Sequence, residues 1–306
     1  MAVTLNWVGT TGYDIFVNIW QSNNYSSYHY DPALDVGHSR IYQMEKGPGA
    51  GAITQVTGEP LSYQGAGTVG VNGPPIGNIL AFCRDYYLPN RLTAGRKILI
   101  VPCAQGGTGF SSGNHWGVWS GVGHALHEDT VTRVNAAVAS LSGSVIKACF
   151  CHGGEADSFW DAAVKPDGSP GGYPPGDSRL AFIDYTVAEV ADFRARWTGG
   201  SGVPFFFGQM SPKYWELPPI GLAPGYKPGS LQAIEQMATY VPNSLSVSSL
   251  GLTCVNTDLT PGAPYPDIYG TSNFIHFDAE SQRGSATQTN PWSKRHWAAY
   301  QALIGV

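Results

Sequence analysis

Apolar residues along this chain come in short bursts, separated by polar and glycine-rich stretches. The first burst is Ile15–Trp20, where five of six residues are apolar. A run this short and this apolar suits a strand buried on both faces. It stops at once in Gln21-Ser22-Asn23-Asn24, which is turn chemistry. Lys97–Cys103 reads as the clearest strand, Ser144–Cys151 as a third, Val203–Met210 as a fourth and Leu250–Asn256 as a short fifth. Between these, helical spacing appears over Ile76–Tyr87, His124–Leu141, Ile183–Trp197, Ser230–Val241 and Pro291–Ile304. Ser230 stands at an N-cap position and Pro291 near a first helical turn. Strands alternating with helices from end to end predict an α/β fold: a doubly wound, mostly parallel five-stranded sheet with helices on both faces, in a single domain over residues 1–306. Residues 24–75 show little periodicity and many Gly, Pro, Ser and Tyr, so they read as a long loop insertion of functional type. Residues 165–180 read as a Pro/Gly-rich loop.

Composition narrows the function classes. Of 306 residues, 42% are apolar and only 13% charged, which is a globular and not a disordered composition. The net charge is -5 and no basic run occurs, so neither nucleic acid nor an anionic membrane is an expected partner. No segment approaches the ~20 apolar residues needed to cross a bilayer. Met1–Trp7 lacks the basic and long apolar regions of a secretory signal, so a cytoplasmic or virion-associated setting is expected. Five cysteines form no Cys-x-x-Cys pattern; Cys103, Cys149, Cys151 and Cys254 lie in or beside apolar runs and read as small reduced thiols in the core. The 9 Trp and 16 Tyr suit core packing and also stacking on sugar faces.

The candidate chemistry sits where the strands end. Ser22 follows the first strand, Gln105-Gly106-Gly107-Thr108-Gly109 the second, His152-Gly153-Gly154-Glu155-Ala156-Asp157 the third and Gln209 the fourth, while His276 comes late among loop residues. In a parallel sheet these carboxyl ends share one edge, where ligands bind. Ser22 is a candidate nucleophile and His276 its candidate base. The N–H groups of Gly107 and Ser22 are candidate oxyanion donors, since adjacent glycines let backbone approach a ligand closely. Each feature also has a structural reading: a polar strand cap for Ser22, a tight turn for the glycines, helix N-terminal capping for Glu155 and Asp157. His115, His124, His127 and His152 read as structural or surface residues. Tyr25, Tyr28, His29, Tyr30, His38, Arg40 and Tyr42 in the long loop either line a cleft or pack at the surface.

The order Gln-Ser-Asn, Gly-Gly-Thr, Gly-Glu-Ala-Asp and a late His resembles the SGNH hydrolases, and within them the sialate O-acetylesterase and carbohydrate esterase family six branch. The resemblance runs roughly from Phe16 to Phe277. It implies an SGNH/flavodoxin-like three-layer sandwich that removes acetyl groups from carbohydrate hydroxyls. Ser22 matches the family nucleophile, His276 the base and Gly107 an oxyanion donor, and Glu155 stands where the family carries an acidic residue of the catalytic network. An acetylated carbohydrate is the implied partner, and no metal or organic cofactor is implied. Three positions depart from the pattern. Trp20 replaces the glycine of Gly-Gln-Ser-Asn and is expected to shape the pocket. Gly153 replaces a glutamine, so Asn23, Gln105 or Gln209 is a candidate to complete the oxyanion hole. Asn273 stands where an aspartate would orient the base. Glu155 is the expected replacement, with Asp157 also within the block; the alternatives are a Ser-His dyad or a slow or silent site. Trp20, Asn23, Tyr25 and Gln209 are the candidate substrate contacts. A catalytically silent carbohydrate-binding domain is the competing reading, and a lipid or simple-ester esterase is less well suited. The composition fits a phage tail-spike domain or an intracellular bacterial esterase equally.

Overall fold

The computed structural model describes residues 10–20, 33–45, 51–57, 78–105, 108–110, 125–158, 177–212, 227–254 and 277–305. Its centre is β1 (Tyr13–Trp20), every residue of which is buried. Ile15, Val17 and Ile19 enter one core and Phe16 the other, as the two-residue period of a strand requires. β2 (Ile41–Met44) and β3 (Ile53–Gln55) follow as an antiparallel pair. One helical segment comes next: α1 (Asn78–Ala81), a π-helical stretch Phe82–Tyr87 and α2 (Leu88–Arg91). Then come β4 (Lys97–Pro102), α3 (Ala125–Ala139), β5 (Val145–His152), α4 (Asp177–Arg196), β6 (Phe205–Gly208), α5 (Gly229–Tyr240), β7 (Ser244–Val247), α6 (Ala279–Arg283) and α7 (Trp292–Ile304).

Among the described residues the sheet has seven strands, in the order β3-β2-β4-β1-β5-β6-β7, parallel except for β3. The chain starts at the centre, fills one side with β2, β3 and β4, then crosses to the other side. Strand order therefore reverses at β1, which lies between β4 and β5. A crevice opens at such a switch point, on the carboxyl side. Val131, Val134, Phe193, Ile234 and Met237 of α3, α4 and α5 cover one face. Phe82 and Tyr87 of the π-helical stretch, with Trp292, Trp297 and Tyr300 of α7, cover the other. At the amino ends of the strands, buried Asp14 pairs with Arg96 at 2.6 Å and accepts from the Tyr87 hydroxyl at 2.7 Å. Arg96 also donates to the carbonyls of Thr11, Tyr13 and Gly143, tying three chain segments to the end opposite the crevice.

The three-layer α/β arrangement is the one expected, but the sheet has seven strands where five were read. β2 and β3 lie inside the supposed loop 24–75; at four and three residues they are too short to show a period against their glycine-rich surroundings. The strand expected at Leu250–Asn256 is replaced by β7, six residues earlier. Leu250 lies in a turn with its side chain 73% exposed, and Gly251 adopts φ +78° there. Cys254 contributes only a single bridge, to Phe277. α4 begins at Asp177, inside the stretch read as loop, because its first turn is polar. Ser230 does not cap α5: Pro228 holds that position, and the Ser230 hydroxyl donates to Gly154 O at 2.9 Å. All five cysteines are buried thiols. Among the described residues no helix is long and apolar enough to cross a membrane.

Candidate active site

β1 ends on Trp20, whose φ of +76° lies in the left-handed region. Among the described residues only Trp20 and Asn243 do so without being glycine. For a bulky side chain that conformation costs about 1–3 kcal/mol and persists only where the surroundings enforce it. The enforcement is visible. The indole is 3% exposed and sits among Phe110, Phe182 and Phe207, with ring centroids 5.6–5.7 Å away. Its Nε1–H donates to Glu189 Oε2 at 2.7 Å. Glu189 comes from α4 and is fully buried. Burial pushes its carboxyl above the usual range, against the Trp20 hydrogen bond and the His127 imidazole, 3.7 Å from Oε1, which pull it down. His127 Nε2 in turn meets Asp192 Oδ2 at 2.6 Å. Burial would lower the His127 value, but the carboxylates of Asp192, at 2.6 Å, and Glu189, 3.7 Å from Nδ1, outweigh it and hold the imidazole above its usual value. A chain of buried polar contacts thus runs from the end of β1 back into α3 and α4.

The segments after β4 and β5 close on the same spot. Cys103 N–H donates to Asn18 O and Gln105 N–H to Trp20 O at 2.7 Å, so the chain leaving β4 stays docked on the end of β1. The Thr108 hydroxyl donates to Gln105 O at 2.8 Å. After β5, Gly154 adopts φ +99°, a backbone conformation that favours glycine. The following turn places Glu155 and Asp157, both buried, with Ser158 N–H bonded back to Gly154 O at 2.8 Å. Gly109 packs directly on the Asp157 carboxylate: a Cβ at Gly109 would lie 2.6 Å from Oδ1. Trp20, Thr108, Gly109, Phe110, Gly153, Gly154, Asp157 and Phe182 line a small recess.

Beside this recess, Glu155 Oε1 is 2.7 Å from His152 Nε2, and both residues are 5% exposed or less. The His152 ring is held edge-to-face by Trp292 at 4.5 Å and by Phe277 at 6.0 Å. Gly208 backs the same ring; a Cβ there would lie 2.5 Å from Trp292 Cζ2 and 2.9 Å from His152 Nδ1.

The expected site residues therefore divide. Trp20, Gln105, Glu155 and Asp157 are brought to one edge, at the ends of β1, β4 and β5. Gln209 follows β6 on that edge, with its side-chain Oε1 accepting from Ser249 N–H at 3.3 Å. Ser22, Asn23, Tyr25, Gly107, Asn273 and His276 lie outside the described residues. His38, Arg40 and Tyr42 lie at or before β2, near the amino ends of the strands: Arg40 donates to Thr93 O and Arg96 O, and the Tyr42 ring meets Tyr13 at 5.9 Å. Sequence reasoning assigned His152 to structure in general and did not foresee its bond to Glu155, although their three-residue spacing was visible. Glu189 and Trp292 were missed altogether, since nothing local marks a helical Glu or Trp as a neighbour of a strand end.

No family model and no curated protein matches the chain. Solved structures do. NanS matches at a TM-score of 0.59 and 18% identity, over 95% of this chain and 97% of that one. A protein from Arabidopsis thaliana matches at a TM-score of 0.60 and 16% identity, over 96% and 99%. A structure described as a novel carbohydrate acetylesterase from Xanthomonas citri matches at a TM-score of 0.46 and 12% identity, over 78% of this chain and 50% of that one. At these identities the likeness is one of fold.

Proposed function

We propose that this protein is a carbohydrate O-acetylesterase acting through a serine acyl-enzyme. The observation that carries this reading is the meeting of the β1, β4 and β5 carboxyl ends at one small recess, flanked by a buried His152–Glu155 pair. Those are the three chain segments on which the serine, Gly-Gly-Thr and Gly-Glu-Ala-Asp motifs stand. In this mechanism Ser22 attacks the acetyl carbonyl while His276 takes its proton. The N–H groups of Gly107 and Ser22 hold the oxyanion. His276 then gives its proton to the departing sugar oxygen, releasing the free hydroxyl, and water repeats the sequence on the acyl-enzyme. Glu155 orients His276 in place of the carboxylate missing at Asn273, and His152 holds Glu155 in position.

Acetate release from acetylated polysaccharides, together with labelling by a fluorophosphonate, tests the reading. Label is expected on Ser22, and Ser22→Ala is expected to abolish both label and hydrolysis. Glu155→Gln is expected to lower kcat by up to about four orders of magnitude, the scale for losing an orienting carboxylate. Asn273→Ala is expected to change little. Hydrolysis that survives Ser22→Ala defeats the mechanism. Polysaccharide binding with no label on Ser22 points to a silent carbohydrate-binding domain instead.

A further inference from the structure

Behind the end of β1 lies a polar pair whose contact is incomplete. His127 of α3 is fully buried, its ring stacked on Phe193 of α4 at 4.3 Å with 7° between the planes. Glu189 and Asp192 stand three residues apart on α4, so both carboxylates reach the same side of that helix, and the imidazole meets both. Nε2 is 2.6 Å from Asp192 Oδ2, and since a carboxylate only accepts, Nε2 carries the hydrogen. Nδ1 faces Glu189 Oε1 at 3.7 Å, beyond hydrogen-bond length. Neither of these two atoms bonds to another group among the described residues. The second oxygen of the same carboxylate holds the Trp20 indole at 2.7 Å.

One proton decides this contact. Without it, Nδ1 presents a lone pair to an ionised oxygen, and two buried acceptors face each other with no donor between them. With it, Nδ1–H or a protonated Oε1 supplies the donor and the pair attracts. The surroundings favour keeping the proton. Two carboxylates flank one imidazole, and Arg196 of α4 is divided between Asp192 at 3.3 Å and Glu128 of α3 at 2.6 Å. From β5 the thiols of Cys149 and Cys151 feel Glu189, both pushed up by burial and so neutral, with Arg194 acting on them. β1 contributes the Trp20 N–H, and β4 lends Leu99 and Val101, with Cys103 beyond it, to the same core. His127 is raised against its burial and Glu189 because of its own.

We infer that His127 and Glu189 share a single proton that latches Trp20, so that its loss at rising pH disturbs the carboxylate on which the end of β1 is held. Trp20 is where such a latch has effect. Its φ of +76° persists only under restraint, and its carbonyl takes the Gln105 N–H at 2.7 Å, which ties the segment after β4 to the same point. Ser22 follows it by two residues in the sequence. The latch goes beyond the esterase reading and does not depend on it.

The Trp20 indole N–H resonance, assigned in a proton–nitrogen correlation spectrum by its proximity to Phe110, Phe182 and Phe207, reports the bond to Glu189 directly. It is expected to shift with pH in a step whose midpoint lies above 6.5, the ordinary value of histidine. In His127→Gln, whose amide donates a hydrogen at every pH, the step is expected to vanish. Should that variant fail to fold, Asp192→Asn, at a side chain 20% exposed, removes one of the two anions and is expected to lower the midpoint by about one pH unit or more. A step that persists unchanged in the variants that fold, or an indole resonance that moves at no pH the fold survives, overturns the latch.

Discussion

Replacing Glu189 by leucine removes the acceptor that holds Trp20 in place. The bond is short, at 2.7 Å, and its partners are 0% and 3% exposed, so no water replaces it. An orphaned buried N–H costs about 1–3 kcal/mol. His127 keeps Asp192 at 2.6 Å but loses its second carboxylate. Against this, the variant no longer buries a carboxyl whose burial already disfavours its charged form. The balance is a loss of roughly 2–3 kcal/mol. Unfolding entropy of about 2.1 cal/mol/K per residue over 306 residues converts that to a fall in Tm of roughly 3–5 °C. Glu189→Gln retains an oxygen of the same shape for the indole N–H and is expected to cost less than about 1 kcal/mol. Paired thermal and urea unfolding of the two variants decides the matter. If leucine and glutamine behave alike, or if leucine is as stable as the wild type, the carboxylate does not hold the tryptophan and the account of its backbone is wrong.

Gly208→Ala forces a methyl to within 2.5 Å of Trp292 and 2.9 Å of His152. Overpacking of this kind costs about 1–3 kcal/mol, and the displaced His152 is expected to lower esterase activity more than the fall in Tm explains. An alanine variant with unchanged Tm and unchanged kcat would show that the His152 cage is loose. The His127 imidazole is held above its ordinary 6.5, so the folded chain keeps a proton that the unfolded chain releases near that pH. Its stabilising contribution is complete below that pH and is lost as pH rises through the folded value. Glu189, also raised, acts in the same sense at its own range. Tm is therefore expected to decline as pH rises above about 6.5, and His127→Gln to flatten that decline. A slope the variant leaves untouched assigns the titration elsewhere.

Long apolar runs were legible because their period does not depend on partners. Ile15–Trp20, Lys97–Cys103 and Ser144–Cys151 became β1, β4 and β5 nearly to the residue. The helical faces of α3 and α7 were equally plain. β2, β3 and β7 were not, because three or four residues at a sheet's margin carry too little pattern to outweigh their Gly- and Ser-rich neighbours. The site was legible in the same uneven way. Its motifs named Glu155 and Asp157, and strand alternation put both just past the carboxyl end of a strand, where the structure has them after β5. The partner expected for Glu155 was His276; the partner among the described residues is His152, three positions away on the same turn.

Alternation of strands and helices, the burial of β1 and the shared edge for the polar clusters follow from local preference and from the rule that parallel strands align their ends. Those features were present in the order of residues. The left-handed backbone of Trp20, the carboxylate that holds its indole and the aromatic cage of His152 were not. Each depends on groups far apart in the chain, 169 positions in the case of Trp20 and Glu189. A local pattern records which face a residue prefers, whereas a buried polar contact records which distant group has arrived there to satisfy it. That arrival is settled by the packing of α3, α4 and α7 onto the sheet.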